Sequence, residues 1–185
     1  MRTTLTPDLA VLDPDGHQAR LVDLCKSRTL LLVFLRHFGC VHCNETAGHL
    51  RDRLDDVHRE GAELVFIGNG SVEQAGDFGR DRVPGCPVYT DPSLTTYQAL
   101  GMTRSVRASL GLSSVLAGAG AALHGRRQTS VQGDPWQQGG FFVVATGGKV
   151  VYSQPNRSAA DRPDLDAALE IARELRAENE DRAGR

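Results

Sequence analysis

Thr29-Leu30-Leu31-Leu32-Val33-Phe34-Leu35-Arg36-His37-Phe38-Gly39-Cys40-Val41-His42-Cys43 is the stretch on which the reading of this chain turns. Its first half, Thr29 to Leu35, is apolar almost throughout, which suits a strand covered on both faces and is far too short to span a bilayer. After the strand, small or apolar residues recur at Cys43, Ala47, Leu50, Leu54 and Val57. That spacing predicts one amphipathic helix, ended by Gly61. A strand therefore hands a Cys-Val-His-Cys tetrad to the start of a helix. Unpaired N–H groups and a partial positive charge at that end stabilise a thiolate over a thiol.

On either side the pattern predicts further elements. Leu9 to Leu12 and Ala19 to Val22 flank Asp13-Pro14-Asp15-Gly16 as an N-terminal β-hairpin. Glu63 to Ile67 reads as a second buried strand, so a strand–helix–strand unit is expected around the tetrad. Ser71 caps a helix reaching about Arg82, Val88-Tyr89 is a short strand, and Asp91-Pro92-Ser93 starts a short helix closed by Gly101. Phe141 to Ala145 and Lys149 to Ser153 flank Thr146-Gly147-Gly148 as a second hairpin. Pro163 opens a last helix with apolar Leu165, Ala168, Leu169, Ala172 and Leu175. The expected architecture is α/β: one central mixed β-sheet flanked by helices, forming a single domain over residues 1–177. An inserted segment at about 104–138 is rich in Ala and Gly between Val106 and Leu123, and Glu178 to Arg185 is expected to be a frayed charged tail.

The 185 residues are 40% hydrophobic and 24% charged with a net charge of −2, the balance of a soluble globular domain. No basic stripe argues for nucleic acid and no electrostatic case exists for an anionic membrane. Met1 to Asp8 lacks an apolar signal region, so a cytoplasmic location is expected. In that compartment a close cysteine pair points to catalysis or metal binding in preference to a structural disulfide.

With Cys40 as cap and Cys43 one turn in, the two sulfurs fall on one helix face and can bridge. Cys40 is expected to meet solvent and the helix dipole, and Cys43 to join the buried stripe. That makes Cys40 the nucleophile and Cys43 the resolving thiol. His42, and His37 with Arg36 at the strand end, can add positive charge or hydrogen bonds to the Cys40 thiolate. Arg36 can also steer an anionic substrate or hydrogen-bond a peroxide oxygen. A zinc site built from Cys40, Cys43 and His37, His42 or His49 is the competing reading. Cys25 and Cys86 read as buried fillers, with Cys86 the alternative resolving thiol. Trp136 either lines the pocket over Cys40 or anchors its loop. No Gly-x-Gly-x-x-Gly or Walker signature appears, so electrons are expected from thiols and not from a bound cofactor.

The run Val33 to Cys43 resembles the active-site segment of the peroxiredoxin-like branch of the thioredoxin superfamily, the alkyl-hydroperoxide-reductase/thiol-specific-antioxidant type that includes the prostamide and prostaglandin F synthases. Similar stretches are Leu9 to Gly16, Val88 to Leu94, Tyr97 to Gly101 and Gly133 to Phe141. The resemblance implies a thioredoxin-like fold and functional roles for Cys40 and Cys43. It also implies a peroxide or disulfide as substrate and an external thiol reductant, either a thioredoxin-like protein or a low-molecular-weight thiol. Peroxiredoxins order their site as Pro-x-x-x-Thr-x-x-Cys; here Leu32 or Val33, then Arg36 and His37, stand in those places. Where thioredoxins place a cis-proline, this chain has Gly139 and Gly140, which leave the backbone open to close approach by a substrate. Three readings remain: a thiol-dependent peroxide or disulfide oxidoreductase, an enzyme acting on an organic endoperoxide or small metabolite, and a redox sensor or binding module that switches once. The segment from Val106 to Leu123 either covers the pocket or offers a homodimer surface.

Overall fold

A computed structural model of the chain describes residues 4–105, 133–158 and 161–184. Most of the inserted segment at about 104–138, including Val106 to Leu123, lies outside these residues. The described chain runs β1 (Ala10–Leu12), β2 (Gln18–Arg20), α1 (Leu21–Leu24), β3 (Thr29–Phe34), α2 (Val41–Arg51), α3 (Leu54–Arg59), β4 (Ala62–Gly68), α4 (Val72–Asp81), β5 (Val88–Thr90), α5 (Thr95–Ala99), β6 (Gly140–Val144), β7 (Val150–Pro155) and α6 (Leu165–Ala183). The strands form one mixed sheet in the order β2-β1-β5-β4-β3-β6-β7. β3 pairs in parallel with β4 and antiparallel with β6, so the apolar run is interior to the sheet, as its composition predicts.

Every residue of β3 is buried, and the period-2 pleat sends alternate side chains to two separate cores. Leu31 and Val33 join Ala47, Leu50, Val57, Phe78 and Leu169, beneath α2, α3, α4 and α6. Leu30, Leu32 and Phe34 join Leu9, Leu21, Tyr97 and Phe142 on the opposite face. Burying each of these large side chains contributes roughly 1.5–3 kcal/mol, which fixes β3 firmly and with it the point where the chain leaves the sheet.

Local chemistry sets the boundaries. Asp13 Oδ1 accepts the Asp15 and His17 N–H groups, and Gly16 takes φ +85°, closing the first hairpin. The second strand of that hairpin is shorter than expected, because Leu21 and Val22 enter α1. Ser71 and Gln74 form a reciprocal capping box at the start of α4. The stripe from Cys43 to Val57 is interrupted: Arg53 N–H turns back to Leu50 O at 3.1 Å, a tightened turn that separates α2 from α3 while Leu54 and Val57 keep their inward positions. Pro163 lies ahead of α6, whose cap is Asp164, accepting the Ala167 N–H. The segment expected to fray continues α6 as far as Ala183. Its polar turns carry the ion pairs Arg176–Glu180 and Arg182–Glu178. No helix among the described residues is long and apolar enough to cross a membrane.

Candidate active site

The chain leaving β3 is held carbonyl by carbonyl. Leu35 N–H bonds to Ile67 O at 2.8 Å, and the buried Tyr97 hydroxyl donates to Leu35 O at 2.8 Å and to Ile67 O at 3.1 Å. Asn69 Nδ2 donates to Arg36 O at 2.8 Å, and Cys40 N–H returns to His37 O at 3.2 Å. Phe38 fills the space over Gly68, where a Cβ would lie 2.3 Å from its ring, and packs on Phe78 with ring centroids 5.3 Å apart. This chain of contacts delivers Cys40 to the N-cap of α2.

At the cap, Cys40 Sγ accepts the Cys43 N–H at 3.3 Å. The hydrogen bond from the Cys43 side chain is the strongest influence pulling the Cys40 pKa down from 9.0 to about 6. The Cys43 N–H and the charges of Arg36 and His42 add to it, against the cost of burial. Cys43 moves the other way, well above 9.0, through its hydrogen bond to Cys40, burial and the negative charge on Cys40. The two sulfurs therefore share one proton, which Cys43 keeps and donates to Cys40 at the N-cap.

The expectation that Cys40 faces solvent is corrected, because it is only 6% exposed, whereas Cys43 is half-buried. The turn from His37 to Cys40 folds the cap residue under itself. Cys43 instead contributes to the wall of a small cleft of about 30 Å³, together with Val33, Arg36, His42, Thr46 and Gly140.

His37 does not supply positive charge as expected. It is buried beside Arg36, and burial together with that charge lowers its pKa to about 4. His42 is exposed, 3.9 Å from Glu45. Arg36 is buried and donates from Nη2 to Pro135 O at 2.9 Å.

Gly139 also serves a different partner from the one expected. A Cβ there would lie 2.1 Å from Phe34 O, so its missing side chain admits the neighbouring strand backbone and not a substrate. Gly140 pairs with Phe34 and lines the cleft. Trp136 is half-buried and is not among the residues lining the cleft; its N–H donates to Asp134 Oδ1 and its carbonyl accepts from Ser105 N–H and Gln138 Nε2. These are bonds of its backbone, which ties the loop down.

Cys25 donates to Val22 O at 3.4 Å and is buried, and burial raises its pKa. Burial also lifts the Cys86 thiol to about 11, a poor nucleophile near neutrality. For zinc, the single group of three potential ligands found among the described residues is Asp13, Asp15 and His17, all in the first hairpin turn. Among the described residues, no histidine joins Cys40 and Cys43 in such a group.

Three residues absent from the sequence-based site matter here: Tyr97, Asn69 and Asp134. Asn69 Oδ1 accepts the Asp134 N–H at 3.1 Å and so ties the loop at 133–138 to the Arg36 backbone. A polar Asn between Gly68 and Gly70 at the end of an apolar strand was the signal available for it.

A protein-family model described as AhpC/TSA antioxidant enzyme matches residues 49–158. The chain belongs to this family. The AhpC/TSA match begins downstream of Cys43, so the assignment stands apart from the cysteine pair. Thioredoxin-like protein AAED1, chloroplastic, of Arabidopsis thaliana is 32% identical over 168 residues, 86% of this chain and 68% of that relative. Peroxiredoxin-like 2C of Mus musculus is 29% identical, over 89% of this chain and 77% of its own length. Prostamide/prostaglandin F synthase of Danio rerio is 30% identical, over 82% and 77%. Among solved structures, peroxidoxin BcpB of Mycobacterium tuberculosis superposes with a TM-score of 0.67 at 22% identity, covering 94% of this chain and 97% of that one, a likeness of fold. The chain is thus a peroxiredoxin-like oxidoreductase of the thioredoxin superfamily, with the mixed sheet and flanking helices of that fold.

Proposed function

We propose that the protein is a thiol-dependent peroxidase in which Cys40 attacks and Cys43 resolves. The observation that carries this reading is the Cys40 sulfur at the N-cap of α2, accepting the Cys43 N–H at 3.3 Å with its pKa near 6 while that of Cys43 rises. The Cys40 thiolate attacks one oxygen of a hydroperoxide. An S–O bond forms, the O–O bond breaks, and the departing alkoxide or hydroxide takes a proton. Cys43 then attacks the sulfur of the resulting sulfenic acid, forming the Cys40–Cys43 disulfide and releasing water. Two equivalents of an external thiol reduce that disulfide and leave as their own disulfide. Arg36 supplies fixed positive charge beside the thiolate, partly replacing the hydroxyl that the segment before Cys40 lacks. A cycle that depends on a thiol donor fits a reducing compartment such as the cytoplasm.

The test is to oxidise wild type, Cys40→Ser and Cys43→Ser with equimolar hydroperoxide and map the products by mass. A disulfide in wild type and a lasting sulfenate only in Cys43→Ser support the roles assigned. Cys40→Ser oxidising at Cys43 as fast as wild type does at Cys40 overturns them. Repeated turnover with a thiol donor separates an enzyme from a sensor, which stops after one equivalent.

A further inference from the structure

Asn69 follows β4, is 5% exposed, and spends its side-chain amide on main chain to either side. Its Nδ2 donates to Arg36 O at 2.8 Å and to Asp134 O at 3.4 Å, while its Oδ1 accepts the Asp134 N–H at 3.1 Å. Asp134 is thus gripped at both of its peptide groups. The next carbonyl along, Pro135 O, accepts Arg36 Nη2 at 2.9 Å. One buried amide therefore holds the Arg36 backbone directly and also places the acceptor of its guanidinium. The loop is shaped to admit it: Gly133 adopts φ +106°, and a Cβ there would lie 1.9 Å from Asn69 Oδ1.

Arg36 in turn bears on both cysteines. Behind the Cys43 thiol and N–H, its charge is the next influence that favours the Cys40 thiolate. At Cys43, where the hydrogen bond to Cys40 and burial favour the thiol, the Arg36 backbone and charge act in the opposite sense. We infer that Asn69 is a positioning residue for the attacking thiolate: it fixes the Arg36 backbone and, through Asp134 and Pro135, the guanidinium, and so keeps that positive charge trained on the Cys40 sulfur. This rests on the assignment of Cys40 as the attacking thiol. The physical reason is the freedom of a long side chain. A guanidinium that loses its acceptor spreads over several rotamers, and a charge averaged over them acts on a nearby sulfur less strongly than one held in place. The groups that act on Cys40 are Cys43, Arg36 and His42, and it is to Arg36 that Asn69 is bonded.

The test measures the rate of Cys40 alkylation against pH in the full-length protein, for wild type, Asn69→Ala, Arg36→Gln and the double variant. Asn69→Ala should raise the Cys40 midpoint by about half a unit, a roughly threefold loss of rate at pH 5. In the Arg36→Gln background the same substitution should move the midpoint by less than about 0.2 unit, because the charge it positions is gone. A shift of equal size in both backgrounds overturns the inference and leaves the redox pair standing. So does a loss of stability in urea with no shift of the midpoint, the mark of a merely structural bond. A wild-type midpoint near 9.0 overturns Cys40 as the attacking thiolate, and this inference with it. If Asn69→Ala does not fold, Asn69→Ser, which keeps a polar group beside the Arg36 carbonyl, carries the same comparison in both backgrounds.

Discussion

Replacing Cys43 with alanine deletes the strongest of the influences that hold Cys40 near a pKa of 6. A hydrogen bond to a charged group is worth about 1.5–3 kcal/mol, and a pKa unit corresponds to about 1.4 kcal/mol, so the Cys40 midpoint should climb by about one to two units. It should stop short of 9.0, because the residue 43 N–H and the Arg36 charge survive the substitution. At pH 7 the ionised fraction of Cys40 then falls from roughly nine-tenths to between about one-half and one-tenth. At pH 5, below every midpoint, the fall is about tenfold to a hundredfold. The assay is the rate of iodoacetamide alkylation at Cys40 as a function of pH, read site by site by mass so that Cys25 and Cys86 do not intrude. Cys43→Ser, which keeps a donor hydroxyl, should stay close to wild type. A wild-type midpoint near 9.0, or a Cys43→Ala midpoint within about 0.3 unit of wild type, refutes the reasoning.

Three further outcomes follow from the same contacts. Gly139→Ala places a Cβ 2.1 Å from Phe34 O and must separate β3 from β6. It should cost about 3 kcal/mol or more in urea unfolding, and a loss below about 1 kcal/mol would contradict the close approach. Tyr97→Phe keeps the ring, which meets Phe34 edge-on at 5.0 Å, but removes the hydroxyl from Leu35 O and Ile67 O. A loss of about 1–3 kcal/mol is expected by the same measurement, and an unchanged midpoint speaks against the hydroxyl as the clamp on the strand ends. His37 has its pKa lowered from 6.5 to about 4, so on acidification the unfolded chain takes up the proton first. The stability this contributes is complete above pH 6.5 and is lost as pH falls through the window to about 4. His37→Gln should therefore lose stability less steeply than wild type across that window, and parallel curves sink the assignment.

The sequence discloses this architecture where neighbouring residues determine it. The apolar run from Leu30 to Leu35 lies in the interior of the sheet because no surface position tolerates it, and Cys40 caps α2 because a strand end and a helical stripe meet there. Gly147 and Gly148 both adopt positive φ, as the second hairpin requires. The missed contributions are long-range. Tyr97 reaches Leu35 across 62 residues and Asn69 reaches Asp134 across 65, and periodicity carries no information about such partners. Exposure at the site was misjudged for a related reason. A helix cap is solvent-facing on average, but the turn through His37 and Phe38 buries this one. The tightened turn after Leu50 was hidden because it preserves the inward phase of Leu54 and Val57.

The anchoring of the loop beside Arg36 bears on how this scaffold can vary. Arg104 pairs with Asp134 at 2.5 Å, Ser105 N–H bonds to Trp136 O at 2.9 Å, and Asn69 holds Asp134 to the Arg36 backbone. The two points between which residues 106–132 are strung are thus fixed to each other and to the segment before Cys40. Closing a longer or shorter connection between fixed ends changes the entropy only with the logarithm of its length. The pairing of Arg104 with Asp134 therefore sets the two ends of that connection independently of its length and ties them, through Asn69, to the backbone ahead of Cys40.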